Sequence, residues 1–124
     1  MPEITSHKVN GLNDAIRINV LDEPGQGNAN HAYSLSLIID SEGSTMEGGD
    51  IHFQDGPIQE AGVNGISNEA LLAVVEHRLQ GFQSGDFSCR ENALALTKLQ
   101  EAIHWLHHRT RERIARGVEG TNAK

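Results

Sequence analysis

The spacing of hydrophobic and polar residues changes period near the middle of the chain. In residues 15–21, Ile16, Ile18 and Val20 alternate with Arg17 and Asn19; in residues 33–39, Tyr33, Leu35, Leu37 and Ile39 recur at every second position. A period of two puts each set on one face of a strand. Between them, Asp22-Glu23-Pro24-Gly25-Gln26-Gly27-Asn28 is turn chemistry throughout. Residues 51–54 and 58–63 read as two shorter strands, joined as a hairpin by Asp55-Gly56-Pro57. Gly43, Gly48 and Gly49 mark another loop.

From residue 67 the period becomes helical. Ser67 or Asn68 caps a first helix whose apolar stripe is Leu71, Val75, Leu79 and Phe82, and Gly81 and Gly85 bracket the connection that follows. A second helix runs over residues 88–116. Ser88 and Glu91 form a capping box at its start. Ala95, Leu99, Ala102 and Leu106 share a face, with Leu96 and Ile103 beside it. Gly117 supplies the stop, and arginines in the last turns complement the helix dipole.

About 28 residues at roughly 1.5 Å each make a helix near 40 Å long, and the first helix spans about half of that. A hairpin of the two leaves the far half of the long helix uncovered, including Ile103, Trp105 and Leu106. A sheet covers part of it. A second subunit covers the rest, most simply by antiparallel packing of two long helices in a twofold dimer. The expected fold is α+β in a single domain of residues 1–124: an N-terminal antiparallel β-sheet (1–66), then a C-terminal two-helix hairpin with a long second helix and a tail (67–124).

The length of 124 residues fits one ordinary domain. No run of residues approaches a membrane span, and residues 1–7 lack the pattern of a secretory signal. Cys89 is the only cysteine, which excludes an intrachain disulfide and a cysteine-based metal cluster. A cytosolic protein is expected. The formal charge of -7 is uneven: residues 1–66 hold ten acids and two bases, residues 67–124 seven acids and eight bases. So acidic a surface argues against nucleic acid as a partner, because phosphate contacts dominate that affinity. A small anion held by a local arginine cluster fits.

Three sets of side chains carry possible chemistry. His104 and His108 lie one turn apart, with Glu101 and Glu112 extending their face. The spacing suits a metal, but a zinc site needs a third ligand from elsewhere, and a solvated or interface face is the simpler reading. Cys89 at a helix N-terminus is a candidate reactive thiol; a small buried apolar role is the simpler one. Arg90 sits beside the free amides of a helix start, a natural place for phosphate. Arg109 and Arg113 lie one turn apart, and Trp105 lies one turn before Arg109. Guanidinium groups beside an aromatic face suit a nucleotide, whereas dipole complementation and surface ion pairing explain the same arginines without a ligand. Chemistry alone leaves the two readings open.

Four segments are more specific. Phe53-Gln54-Asp55-Gly56-Pro57-Ile58, Gly62-Val63-Asn64-Gly65, the helix Cys89-Arg90-Glu91-Asn92-Ala93-Leu94-Ala95-Leu96-Thr97-Lys98-Leu99, and Arg116-Gly117-Val118-Glu119-Gly120-Thr121 resemble the phage Thoeris anti-defence proteins of the first described type. The long helix is also similar to the helical hairpin of phage anti-CBASS sponges. The resemblance covers about residues 51–122. It implies a non-enzymatic sponge, without cofactor or metal, acting in the cytoplasm of the infected bacterial host. Such a sponge binds cyclic ADP-ribose isomers, linked ribose to ribose, that TIR-domain enzymes make, and so keeps the downstream effector silent. It further implies a homodimer or a trimer of dimers and, in some members, cyclic oligonucleotides at a separate site. Carried onto this chain, the implied ligand-binding residues are Phe82, Arg90, Asn92 and Arg109; Arg113, one turn beyond Arg109, is expected to bind ligand with them. A small metal-assisted nucleotide hydrolase using His104 and His108 is the alternative.

Asn92 and Arg109 are 17 residues apart, roughly 25 Å along a helix. One small ligand does not bridge that distance. An antiparallel dimer of long helices brings Arg109 of one subunit to Asn92 of the other, so the expected pocket is intermolecular.

Overall fold

The computed structural model describes residues 2–123, apart from the side chain of Gln26. The chain divides into two compact units. The first comprises residues up to Gly56 together with Val63–Gly65; the second comprises Pro57–Gly62 and the chain from Ile66 onward.

The first unit is a four-stranded antiparallel sheet in the order β1 (Glu3–Ile4), β2 (Ile16–Val20), β3 (Ala32–Ile38), β4 (Thr45–His52), with a short helix α1 (Gly11–Ala15) leading into β2. The register pairs Ile16 with Leu37, Ile18 with Leu35 and Val20 with Tyr33. The two alternating sets of the sequence thus meet on one face, and directly opposed apolar side chains are what stabilise a strand pair. Among the described residues Val20, the last residue of β2, is the apolar side chain that is buried. Tyr33 also pairs with Ile51 and meets the Phe53 ring edge-on, with centroids 5.8 Å apart.

β4 departs from the expected loop. Leu35 pairs with Gly49 and Ser36 with Glu47, so Gly48 is the extra residue of a β-bulge. A Cβ on Gly48 would meet Leu35 Cβ and Leu37 Cδ1 at 3.3 Å, and Gly49 has φ of 117°. These glycines let a strand bend against β3 rather than end it. Gly43 does lie in a turn, closed around the Asp40 carboxylate.

The second unit holds a single helical turn α2 (Ile58–Ala61), then α3 (Asn68–Gln83) and α4 (Arg90–Ala115). The expected strand over 58–63 is therefore a helical turn. Pro57 enters it with φ fixed at -66°, and Gly62 ends it at φ 72°, its N–H donating to the Ile58 carbonyl. Ser67 caps α3 by accepting from the Ala70 N–H. At the C-terminus of α4, Gly117 at φ 73° closes the helix in a Schellman motif: Val118 N–H donates to the Arg113 carbonyl and Gly117 N–H to that of Ile114.

α3 and α4 pack along a narrower seam than the stripes anticipate. The less exposed positions of α4 are Asn92, Leu96, Leu99, Ile103, Leu106, Thr110 and Arg113. They alternate by four and three residues, the repeat of a helix facing one partner. On α3 the seam runs through Leu72, Glu76, Leu79 and Gln83, while Val75 and Phe82 lie at its edge and Ala95 and Ala102 stay exposed on α4. A single partner helix covers only the seam; a wide apolar stripe needs more neighbours.

The surplus length of α4 is real, at 26 residues against 16 for α3. Part of it is covered by the chain itself. Ile103 and Leu106 are half-buried, and the segment after Gly117 folds back to the last turns of α4. Trp105 remains 64% exposed.

Candidate functional site

The hairpin loop, residues 84–89, is closed by one side chain. Gln83 accepts from the Cys89 N–H through Oε1 (3.1 Å) and donates to the Cys89 carbonyl through Nε2 (3.2 Å). This pair of hydrogen bonds to one residue fixes the start of α4 one position later than the capping box predicts. Cys89 is the N-cap, its Sγ accepting from the Asn92 N–H at 3.4 Å. Ser88 instead belongs to the loop, its N–H donating to the Gly85 carbonyl. The thiol is exposed, so the expected buried role for Cys89 is replaced by capping.

Phe82 stands in the last turn of α3 and is 36% exposed. The guanidinium of Arg78, one turn earlier, lies 5.0 Å from the centre of its ring. The sequence reading missed Arg78, although an Arg four residues before a Phe on a helix is a recognisable pair. Arg90 is the first residue of α4 and exposed; Asn92 is the third and half-buried in the seam. Phe82, Arg90 and Asn92 thus gather at one end of the hairpin.

Arg109 is exposed on α4, which continues unbroken from Arg90 to Ala115. It stands roughly 25 Å from Asn92 along the axis. The fold does not bring it to the loop end within this chain.

Arg113 is 5% exposed. Its guanidinium donates to the carbonyls of Val118, Thr121 (each at 3.0 Å) and Ala123. Nε lies 3.3 Å from Glu119 Oε2, a charge contact that is off the hydrogen-bond axis. Direct ligand contact by this group requires the tail to release it. The tail in turn receives α2: Gln59 N–H donates to the Gly120 carbonyl, Gln59 Nε2 to that of Glu119, and Asn122 Nδ2 to Glu60.

Trp105 sits between the rings of His104 and His108, which meet it edge-on at 5.3 and 5.6 Å. Among the described residues no group of three or more His, Cys, Asp or Glu is placed to hold a metal ion. His104 and His108 therefore find no third ligand within the described chain. No helix among the described residues is long and apolar enough to cross a membrane.

Residues 47–111, just over half of the chain, match the model of the Acb2/Tad1 hairpin domain. The chain belongs to the Acb2/Tad1 hairpin-domain family. It is also similar to the protein named Thoeris anti-defense 1 of Bacillus phage SBSphiJ7, with 58% identity over 74 residues. Those residues are 60% of this chain and 52% of that protein, so the chain spans about half the length of the curated relative it matches.

The geometry gives the resembling segments of this Acb2/Tad1 hairpin protein physical content. Asn64 pairs with the Asp55 backbone at both ends, accepting its N–H and donating to its carbonyl at 2.8 Å each, while its own N–H donates to Gln54. Gly65 lies against Phe53 so closely that a Cβ would come within 2.4 Å of the Phe53 carbonyl carbon. The segment from Arg116 to Thr121 carries Glu119 and two of the carbonyls that hold Arg113.

Proposed function

We propose that this chain is a non-enzymatic sponge that counters Thoeris immunity by binding cyclic ADP-ribose isomers made by TIR-domain enzymes and holding them intact. The support is threefold. The family match and the name of the phage relative point to Thoeris anti-defence. The hairpin end offers an aromatic ring, an amide and a cation together in Phe82, Asn92 and Arg90. The placement of Arg109 is the observation that carries the reading, because an unbroken α4 holds it far from that end.

In the proposed site Phe82 stacks on a base, the Asn92 amide hydrogen-bonds its edge, and Arg90 takes a phosphate. Arg109 arrives from a second subunit whose α4 runs antiparallel. Arg113 serves from behind by fixing the tail at the last turns of α4. The exposed Val75 and Trp105 supply apolar surface for that pairing. Retention by a sponge depends on slow release rather than on bond making, so a pocket closed by two chains suits the task.

The test is recovery of ligand. Protein incubated with a ribose-to-ribose-linked cyclic ADP-ribose, freed of unbound ligand and heat-denatured, should release the cyclic molecule unchanged at near-stoichiometric yield, read by mass spectrometry. A linear or cleaved product would show an enzyme instead, and an empty protein would show that the ligand class is wrong.

A further inference from the structure

The Phe82 ring is already covered on one side. Arg78 lies four residues before it on α3, and its guanidinium carbon is 5.0 Å from the ring centroid. Arg78 is exposed, and the ring, 36% exposed, lies at the edge of the α3–α4 seam next to the hairpin loop. A guanidinium over an aromatic face is attracted by the negative face of the ring quadrupole. Phe82 is otherwise an unbranched pendant at the rim of the seam, with two rotatable bonds and no ring contact to hold it except this one among the described residues.

We infer that Arg78 is a positioning residue of the binding site: it holds Phe82 with one face occupied, and so makes a one-sided stacking platform for a purine. The inference rests on the proposed site at Phe82. Two consequences follow from the chemistry. Fixing the ring before the ligand arrives removes an ordering cost from binding. A cation on one face also draws electron density through the ring, so the opposite face is less repulsive to the electron-rich face of a stacked base. The preferred occupant of that face is therefore a purine ring rather than an aliphatic or sugar group. Arg78 acts through Phe82 in this scheme and does not touch the ligand.

A double-mutant cycle tests this. Affinity for a ribose-to-ribose-linked cyclic ADP-ribose is measured by calorimetry for the unaltered chain, Arg78→Met, Arg78→Lys, Phe82→Leu and the pair Arg78→Met with Phe82→Leu. Arg78→Met, which keeps the length of the side chain, should weaken binding by about three- to tenfold. Arg78→Lys should recover part of that loss, because an ammonium also binds a ring face. With Phe82→Leu already present, Arg78→Met should have no further effect.

Full affinity in Arg78→Met would overturn the inference while leaving the proposed function standing. An equal loss with and without the Phe82 ring would overturn it too, because Arg78 would then be touching the ligand itself. Failure of the unaltered chain to bind would sink the proposed function and this inference together. Arg78 is exposed, so the thermal midpoint of each Arg78 variant should match that of the unaltered chain.

Discussion

Arg113 and Glu119 face each other at 3.3 Å, and around that pair the carbonyls of Val118 and Thr121 turn back toward the helix they have just left. A buried guanidinium is tolerable only when its donors and charge are met. Here the final segment of the chain does both. Arg113→Met should destabilise the chain by about 2–4 kcal/mol, since it strips partners from three carbonyls and one carboxylate. Arg113→Lys should recover little, because a single ammonium cannot reach several carbonyls in the fork geometry of Arg. Urea unfolding of both variants checks this; a loss within 0.5 kcal/mol of zero, roughly the range of ordinary surface substitutions, would show that the tail does not depend on Arg113.

Acid should weaken the first unit through Asp22 and Asp40. The Asp22 carboxyl is held below its ordinary range chiefly by the backbone N–H of His31, with the Ala32 N–H, the Asn30 side chain and the His31 ring adding to the effect against partial desolvation. Asp40 is lowered chiefly by the Ser44 side chain and backbone, with the Glu42 and Gly43 N–H groups assisting. A depressed folded-state pKa contributes stability that is full above the unfolded value, near 4, and is lost as pH falls through the folded value. Asp22→Asn should therefore unfold at lower urea than the parent at pH 7, and the gap should shrink at pH 3. An equal gap at both values would mean that the charge is not what orders the loop from Asp22 to His31.

Gly65 is a test of close packing rather than of backbone conformation. A Cβ there would lie 2.4 to 2.6 Å from the backbone of Phe53 and Gln54. The adjoining chain is tied down, because Asn64 holds the Asp55 backbone at both ends and donates its N–H to the Gln54 side chain. Gly65→Ala should cost on the order of 2–4 kcal/mol, more than is usual for an exposed site. Thermal unfolding measures it, and an unchanged midpoint would show that the turn has room to shift.

How much of this was legible in the sequence depends on what fixes each element. β2, β3, α3 and α4 follow from periodicity, because burial of one face imposes it. The segment 58–63 departs from the expected strand, forming α2 instead. Four residues are too few to distinguish the two periods, and the turn is set by Pro57 and Gly62. The N-cap of α4 falls one residue after the expected Ser88 because Gln83 closes the loop from the other helix, a contact absent from any local motif. Gly48 and Gly49 looked like a loop because a bulge uses the same residue types as a turn. At the site, Phe82, Arg90 and Asn92 sit at one hairpin end as their positions imply, with Arg109 a long way off on the same helix. The burial of Arg113 was invisible, since it depends on residues 118–123 returning to the helix; Glu119 six residues on and the glycines at 117 and 120 were its only signals.

If Arg109 completes the neighbour's pocket, two damaged chains should repair each other. Asn92→Ala and Arg109→Ala should each abolish binding as a homodimer, since both pockets then lack one group. In a mixed dimer, one pocket draws Asn92 from the Asn92→Ala chain and Arg109 from the Arg109→Ala chain, and so lacks both. The other pocket draws Asn92 and Arg109 from the chains in which each is intact. Unfolding and refolding an equal mixture of the two variants should therefore restore binding. Random pairing makes half of the dimers mixed, each with one good pocket of two, so about one quarter of the parent's capacity should return at parent affinity. Calorimetry reads capacity and affinity separately. A mixture that stays silent although mixed dimers form would place Arg109 outside the shared pocket, and each variant binding normally alone would remove that residue from the site.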